Sequence, residues 1–374
     1  MTGPLTGTRV VELAAQGPGP FACMLLADLG AEVVSIERVG ARRYPADAHS
    51  RGRRSVAVNI KDTRGRDVVL DLIERSDVMV EGYRPGVAER LGLGPEECLV
   101  RNPRLVYGRM TGWGQDGPLA TSAGHDLNYL ALSGALHAIG ESGHGPVPPL
   151  NLVADYGGGG MLLALGITAA LLERAASGRG QVIDAAMVDG VALLLAPFLA
   201  MAARGSWSAR GTNLLDGGAH FYRTYETSDG KWVSVGAIEP RFYREFLRVL
   251  GLAEADLGPQ MDRNSWPSAT ERVAAVFATR TREEWTRSFE GVEACVQPVL
   301  ELTEATAHPH AAARGMFVEI DGAPHPRPAP RFSRTTLEMP HSAEEPGTST
   351  CEVLTGLGLS EKEIVDLRAA GVVA

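Results

Sequence analysis

Over the first hundred residues, short β-branched runs alternate with longer stretches whose apolar residues recur at helical spacing. The short runs lie at residues 9–13, 32–36, 55–60, 78–81 and 105–110. Strand-length runs separated by helical patterns predict a parallel sheet of an α/β fold, its strands joined by crossover helices. Two crossovers are legible in detail. Residues 20–29 form a compact apolar helix that stops at Gly30, and residues 64–75 place Val68, Val69, Leu72 and Ile73 on one face. Crossovers of this length suit right-handed βαβ units.

The pattern changes past the middle of the chain. After Gly157–Gly160 come an apolar helix at 161–172, a Gly-Arg-Gly turn, a strand at 181–185 and a second apolar helix at 188–203. Both helices read as core helices, too short and interrupted to span a membrane. Composition turns polar near Gly205, and prolines cluster at 323–330, so linkers are expected at both places. Between them, 231–235 reads as a strand and 241–250 as a helix of a smaller lobe. The expected organisation is a large domain at 1–190, a linker at 191–224, a small domain at 225–315, a second linker at 316–330 and a return to the large domain at 331–374.

Composition narrows the function. With 374 residues and 44% hydrophobic content the chain can bury a substantial core. A formal charge of −9 supplies no global basic surface for nucleic acid, so an anionic ligand must be held by particular residues. Cys23, Cys98, Cys295 and Cys351 are scattered without C-x-x-C pairing, which fits buried thiols in a reducing compartment. The first residues lack a basic segment followed by an apolar one, and no apolar run reaches ~18–20 residues, so a cytoplasmic protein without a membrane partner is expected.

Several motifs carry candidate chemistry. Gly112-x-Gly114-x-x-Gly117 has dinucleotide spacing, but Pro118 and a loop follow where that motif needs a helix, so a tight loop is the better reading. Arg38, Lys61, Arg84 and Arg90 all fall just beyond expected strand ends, where an open parallel sheet forms its ligand crevice, so phosphate contacts and solvated surface charge are equally open readings. His125 begins an apolar helix with Asp126 in its first turn. At the positive end of a helix dipole a neutral imidazole is favoured and free N–H groups can meet an anion, although a structural histidine fits the same position. Asp155 precedes Tyr156 and four consecutive glycines, whose entropic cost points to backbone packed closely against a ligand or a neighbouring segment. From the pattern alone Asp155 is equally a helix cap or a catalytic acid. Glu239, before Pro240 at an expected helix start, is open to the same two readings. His137, His144, His308 and His310 lack metal-site spacing, so no metal is expected. Neither a G-x-S-x-G elbow nor a P-loop is present, which removes the usual anchors of hydrolases and nucleoside triphosphatases.

Residues 123–140 (AGHDLNYLALSGALHAIG) and 148–159 (PPLNLVADYGGG) closely resemble the α-methylacyl-CoA racemases of the family III CoA transferase superfamily, the CaiB/BaiF-like proteins. The resemblance extends to RVVEL with GPGP near the start, YRPGV at 83–87, GWGQDGP at 112–118, FYRTYET at 221–227 and VGAIEP at 235–240, and so covers nearly the whole chain. It implies a Rossmann-like large domain, a smaller α+β domain and a homodimer of interlocked subunits. It further implies an acid/base pair at His125 and Asp155, with Glu239 of the partner subunit near His125. CoA contacts are implied at Arg38, Val58, Asn59, Ile60, Lys61, Gly82, Tyr83, Arg84, Arg90, Gly124, Leu127, Asn128 and Tyr129, besides Asp126. The basic residues found from strand ends fall within these windows.

The implied reaction interconverts (2R)- and (2S)-2-methylacyl-CoA thioesters. A thioester α-proton is far less acidic than either side chain, so its removal needs a positioned base and stabilisation of the enolate oxygen, assigned here to the Asp126 N–H. His125 and Asp155 on opposite faces of the α-carbon would then take and return the proton without metal or cofactor, CoA being part of the substrate. Glu239 would orient His125, and an apolar, methionine-lined surface would let the acyl chain swing. The rival is a family III CoA transferase in which Asp155 is the acyl-accepting nucleophile. A noncatalytic CoA binder ranks third, since it leaves the His/Asp/Glu set unexplained.

Overall fold

The computed structural model describes residues 2–42 and 48–374. In chain order the elements are β1 (Arg9–Leu13), α1 (Pro18–Asp28), β2 (Glu32–Glu37), β3 (Arg53–Ala57), α2 (Thr63–Glu74), β4 (Val78–Glu81), α3 (Val87–Arg90), α4 (Pro95–Arg101), β5 (Val106–Thr111), α5 (Asp126–Ser133), α6 (Ala135–Ala138), a π-helical segment (Leu152–Gly160), α7 (Met161–Ser177), β6 (Gln181–Ala186), α8 (Met187–Leu194) and α9 (Ala196–Ala203). They continue with β7 (Tyr222–Glu226), β8 (Trp232–Gly236), α10 (Pro240–Leu250), α11 (Glu254–Leu257), α12 (Trp266–Phe277), α13 (Arg282–Phe289), β9 (Val296–Pro298), α14 (Leu302–Ala307), α15 (Pro309–Arg314), β10 (Phe317–Ile320), β11 (Ala323–Pro326), α16 (Thr350–Leu357) and α17 (Glu361–Ala369). The chain divides into two compact units, Met1–Ser133 with Leu150–Leu194 and Gly315–Ala374, and Gly134–Pro149 with Leu195–Arg314.

In the first unit the β-branched runs pair into one sheet in the order β3-β2-β1-β4-β5-β6. All its ladders are parallel, and Val10 lies opposite both Val33 and Val78. Strands β4 and β5 are buried along their whole length, the double coverage that an all-parallel sheet requires. The strand order reverses between β1 and β4, which makes their carboxyl ends the switch point of a doubly wound sheet. Helix α2 lays Val68, Val69, Leu72 and Ile73 onto the core formed by Val11, Ile36, Val56 and Met79. The C-terminal segment closes the same core with Val353, Leu354, Ile364 and Val372, and burying each such side chain contributes ~1.5–3 kcal/mol. Strand β3 begins earlier than the expected 55–60 because the guanidinium of Arg53, pointing into the sheet, pairs with the buried Glu12 of β1. Two charges that look unsuited to a core strand satisfy each other there.

The π-helical segment and α7 join into a continuous run, Leu152–Ser177, of 26 residues, whose most apolar window has mean hydropathy 1.4 and is 28% buried. This corrects the expectation of a short, interrupted helix: by length and composition the run reaches what a membrane crossing needs. The consecutive glycines do not break it. They let backbones meet, since a Cβ on Gly158 would lie 2.9 Å from the Val191 nitrogen and one on Gly160 would lie 2.8 Å from the Pro18 oxygen. The close neighbours of this glycine run are therefore α1 and α8.

Three further expectations are revised. The apolar helix expected at 188–203 is two helices, α8 and α9, separated at Leu195, where one compact unit gives way to the other. Residues 134–149 cluster with the second unit rather than within 1–190. The expected linker at 316–330 is a hairpin of β10 and β11 turning on Asp321 and Gly322, both at positive φ, a two-residue turn that the surrounding prolines obscure in the sequence.

The second unit is α+β. Its antiparallel sheet β7-β8-β9 is covered by α10, α12 and α13 through an aromatic core of Phe221, Tyr225, Tyr243, Phe246, Phe277 and Trp285. Helix α10 starts with Pro240 in its first turn, buries Tyr243, Phe246, Leu247 and Leu250, and stops at Gly251 in the left-handed conformation. All four cysteines are free thiols; Cys23 and Cys98 are buried, but Cys295 is exposed and Cys351 half-buried, contrary to the expectation of four buried groups. Cys295 sits at φ 52° in the turn before β9, outside the aromatic core.

Candidate active site

The loops leaving β1, β4 and β5 surround a cavity of about 210 Å³ at the switch point, lined among others by Gln16, Pro18, Gly82, Arg84, Thr111 and Tyr129. Its floor requires glycine. A Cβ on Gly112 would lie 2.1 Å from the Tyr129 ring, and one on Gly124 would lie 2.7 Å from it, so the ring occupies space that only glycine leaves open. Trp113 meets Tyr129 edge-on at 4.8 Å between centroids. The Gly112–Gly117 motif is accordingly a tight loop, with Gly114 and Gly117 at positive φ.

Of the expected ligand-binding residues, Gly82, Tyr83, Arg84, Gly124 and Tyr129 line this cavity. The loop bearing Arg84 is held from below: Glu81 accepts from the Tyr83 N–H at 2.6 Å and from Arg109 Nε at 2.9 Å, while Arg109 also pairs with Glu89 at 2.8 Å. Arg90 reaches back to this loop, its guanidinium 3.2 Å from where a Cβ on Gly86 would stand. Arg38 and Lys61 are exposed just beyond β2 and β3. Asn59 orders that turn by accepting from the Lys61 N–H at 3.2 Å, and Ile60 packs against the core. Val58 differs from its expected role as a contact. It is 1% exposed and its N–H is committed to the Glu37 carbonyl, so neither side chain nor amide is presented to a ligand. Leu127 and Asn128 are exposed on α5.

His125 immediately precedes α5 and is exposed. Its carbonyl accepts from the Asn128 N–H at 2.8 Å and its own N–H donates to Asn128 Oδ1 at 3.0 Å, a reciprocal start that fixes the backbone from which the imidazole projects. Asp155 lies inside the π-helical segment, not at a cap, half-buried. Its Oδ2 accepts from Asn151 Nδ2 at 3.2 Å and faces Gly17 at the start of α1, where a Cβ would stand 3.5 Å away. Burial raises the Asp155 carboxyl above the ordinary carboxylate range; the Asn151 hydrogen bond opposes this, the Asp126 charge adds to it and His125 opposes it. The residue after His125, Asp126, accepts from the Asp155 N–H at 2.9 Å, so the first unit joins the two segments that carry the expected pair.

Asp126 is buried and does not cap its own helix. Its Oδ2 accepts from the Ala154 and Asp155 N–H groups at 2.8 and 2.9 Å. Asn151 and this side-chain contact were not foreseen from sequence. Asn151 carries a usable signal, the i to i+4 spacing to Asp155, whereas the Asp126 contact spans 28 residues and has none. Glu239 belongs to the second unit, exposed at the N-cap of α10 without a side-chain cap bond, and its charge helps to raise the Cys295 thiol after burial. Among the described residues, no group of three or more His, Cys, Asp or Glu side chains is placed to hold a metal.

A doubly wound parallel sheet with a cavity at its switch point and basic side chains beyond its strand ends defines an α/β protein of the kind that holds ligands at the carboxyl ends of its strands. Residues 5–349 match the profile of CoA-transferase family III, and the chain belongs to that family. It is 48% identical over 374 residues to the α-methylacyl-CoA racemase of Mus musculus, covering 99% of this chain and 97% of that one. Against the α-methylacyl-CoA racemase of Homo sapiens the identity is 46% over 373 residues, covering 99% and 97%. The crystal structure of a CaiB/BaiF family protein from Brucella suis superposes with a TM-score of 0.84 at 25% identity, covering 96% of this chain and 100% of that one.

Proposed function

We propose that this chain is an isomerase that interconverts the (2R) and (2S) epimers of 2-methylacyl-CoA thioesters, the activity that its relatives' names describe. The observation that carries this reading is the 2.9 Å hydrogen bond from the Asp155 N–H to Asp126, the residue after His125, in a chain 48% identical to a racemase over nearly its full length. One group removes the C2 proton; the electron pair moves into the carbonyl to give an enolate; the other group delivers a proton to the opposite face. The N–H groups of the first helical turn have no intrahelical acceptor, so the Asp126 amide suits the developing oxyanion. A carboxyl raised by burial lies nearer to working pH and serves better as both acid and base, a contribution of ~10²–10⁴-fold for such groups.

The CoA phosphates fall to Arg38, Lys61, Arg84 and Arg90 at the strand ends, with no metal or cofactor in the cycle. Met110 and Met187 on the cavity wall suit an acyl chain that changes position. A homodimer is part of the proposal, with Glu239 of the partner subunit orienting His125. In its support, Leu165, Leu172 and Leu193 on α7 and α8 are 65%, 77% and 64% exposed, an apolar surface that a second copy would cover.

The test is to incubate a single 2-methylacyl-CoA epimer in heavy water. Deuterium at C2 with formation of the other epimer is the expected result. CoA transfer to an added free acid without C2 exchange would instead establish the transferase, with Asp155 as nucleophile.

A further inference from the structure

We propose that the Asp126 side chain is a positioning residue for the acid/base pair, tying the start of α5, which carries His125, to the π-helical segment that carries Asp155. This rests on the racemase reading above.

The first N–H groups of any helix lack intrahelical acceptors, and a π-helix, with its longer bonding interval, leaves more of them open than an α-helix. Ala154 and Asp155 lie in the first turn of the segment that begins at Leu152. Their two N–H groups converge on one oxygen, Asp126 Oδ2, at 2.8 and 2.9 Å. Asp126 thus supplies from α5 the cap that the π-helical segment does not make for itself, as its own cap residue Asn151 forms no side-chain cap bond. Asp126 is only 6% exposed, so water does not readily replace either bond. Because His125 is the preceding residue, and the Asp126 N–H is the proposed oxyanion donor, one side chain fixes the relative placement of base, acid and donor.

The same carboxylate brings a charge to Asp155. The groups that act on the Asp155 carboxyl are Asn151 on its own segment and Asp126 and His125 at the start of α5; Gly17, just before α1, faces its Oδ2, and Tyr129, one turn into α5, feels the charges of Asp155, Arg84 and Asp126. Of these, Asp126 adds to the upward push of burial. Replacing it by asparagine keeps an oxygen acceptor and removes the charge, so the Asp155 carboxyl should ionise at lower pH. Alanine removes both functions.

The full-length wild type, Asp126→Asn and Asp126→Ala are compared by amide hydrogen exchange of residues 152–160 and by the pH profile of C2 deuterium incorporation. Asparagine should preserve amide protection, leave KM near wild type and move the acidic limb of kcat/KM to lower pH, which a merely structural role would not do. Alanine should speed amide exchange at 154–155 and lower kcat on the order of 10²-fold, the cost of about 1 Å of misplacement. An unmoved limb in Asp126→Asn, or wild-type protection and kcat in Asp126→Ala, overturns the proposal. If Asp126→Ala does not fold, the limb of Asp126→Asn decides alone. Wild type that incorporates no deuterium overturns the racemase reading, and amide exchange then decides the positioning contact independently.

Discussion

The aromatic core of the second unit and the helical layer around Asp155 in the first are built from opposite materials. In the former, Phe221, Phe246 and Phe277 are fully buried and Trp285 nearly so, and Phe277 meets Trp285 edge-on at 5.1 Å. That core is closed by its own residues. The layer formed by α5, the π-helical segment, α7 and α8 packs through glycine backbone, keeps two carboxylates within it and turns large leucines outward. Large aromatics fill space and leave none for a substrate, whereas close-packed backbone holds short polar side chains in place beside an open crevice. The first arrangement supports stability within the chain; the second supports chemistry and leaves an apolar face to be covered.

Substitutions should separate these roles, and the largest effects belong to the acid/base pair. His125→Ala and Asp155→Ala should each lower epimerisation by roughly 10²–10⁴-fold while CoA binding and the denaturation midpoint stay near wild type, as titration calorimetry and thermal melting would register. Phe277→Ala should do the reverse, costing ~3–5 kcal/mol in denaturant unfolding with no direct loss of chemistry in the fraction that remains folded. Gly190→Ala joins the two. Its Cβ would lie 1.8 Å from the Gly158 oxygen, so α8 must shift from the π-helical segment, at a cost of ~1–3 kcal/mol and with a fall in kcat that Phe277→Ala does not share. If the proposed homodimer covers this face, Leu172→Glu should shift sedimentation toward the monomer and leave the aromatic core intact.

The smallest effect is a displacement along the pH axis. Because burial raises the Asp155 carboxyl, the acidic limb of kcat/KM for the epimer whose proton Asp155 removes, where that group must be ionised, should lie above the ordinary carboxylate value of ~3.9. Asn151 donates to this carboxylate and lowers its pKa, so Asn151→Ala should move the limb to higher pH, opposite in sign to Asp126→Asn.

The parallel sheet was legible because its central strands are buried on both faces and read as β-branched runs. Legibility failed where charge hides in the core: Arg53 belongs to β3 through Glu12, a partner on another strand. It failed again at Asp321-Gly322, where prolines mask a hairpin turn. At the site, residue types and local spacing marked His125 and Asp155 as candidates without deciding between cap and catalyst. Asp126 illustrates the limit. Its position at a helix start suggests a local cap, yet its carboxylate serves a segment 28 residues away, and no local pattern encodes that distance.

The placement of two bases on opposite faces of one carbon is put to the test by C2 deuterium incorporation in heavy water, starting from each pure epimer with His125→Ala and with Asp155→Ala. Each variant keeps one base, so each should label one epimer with retention of configuration, and the two variants should label opposite epimers. If both variants label the same epimer, or either still inverts at the wild-type rate, the two-base assignment to His125 and Asp155 is wrong.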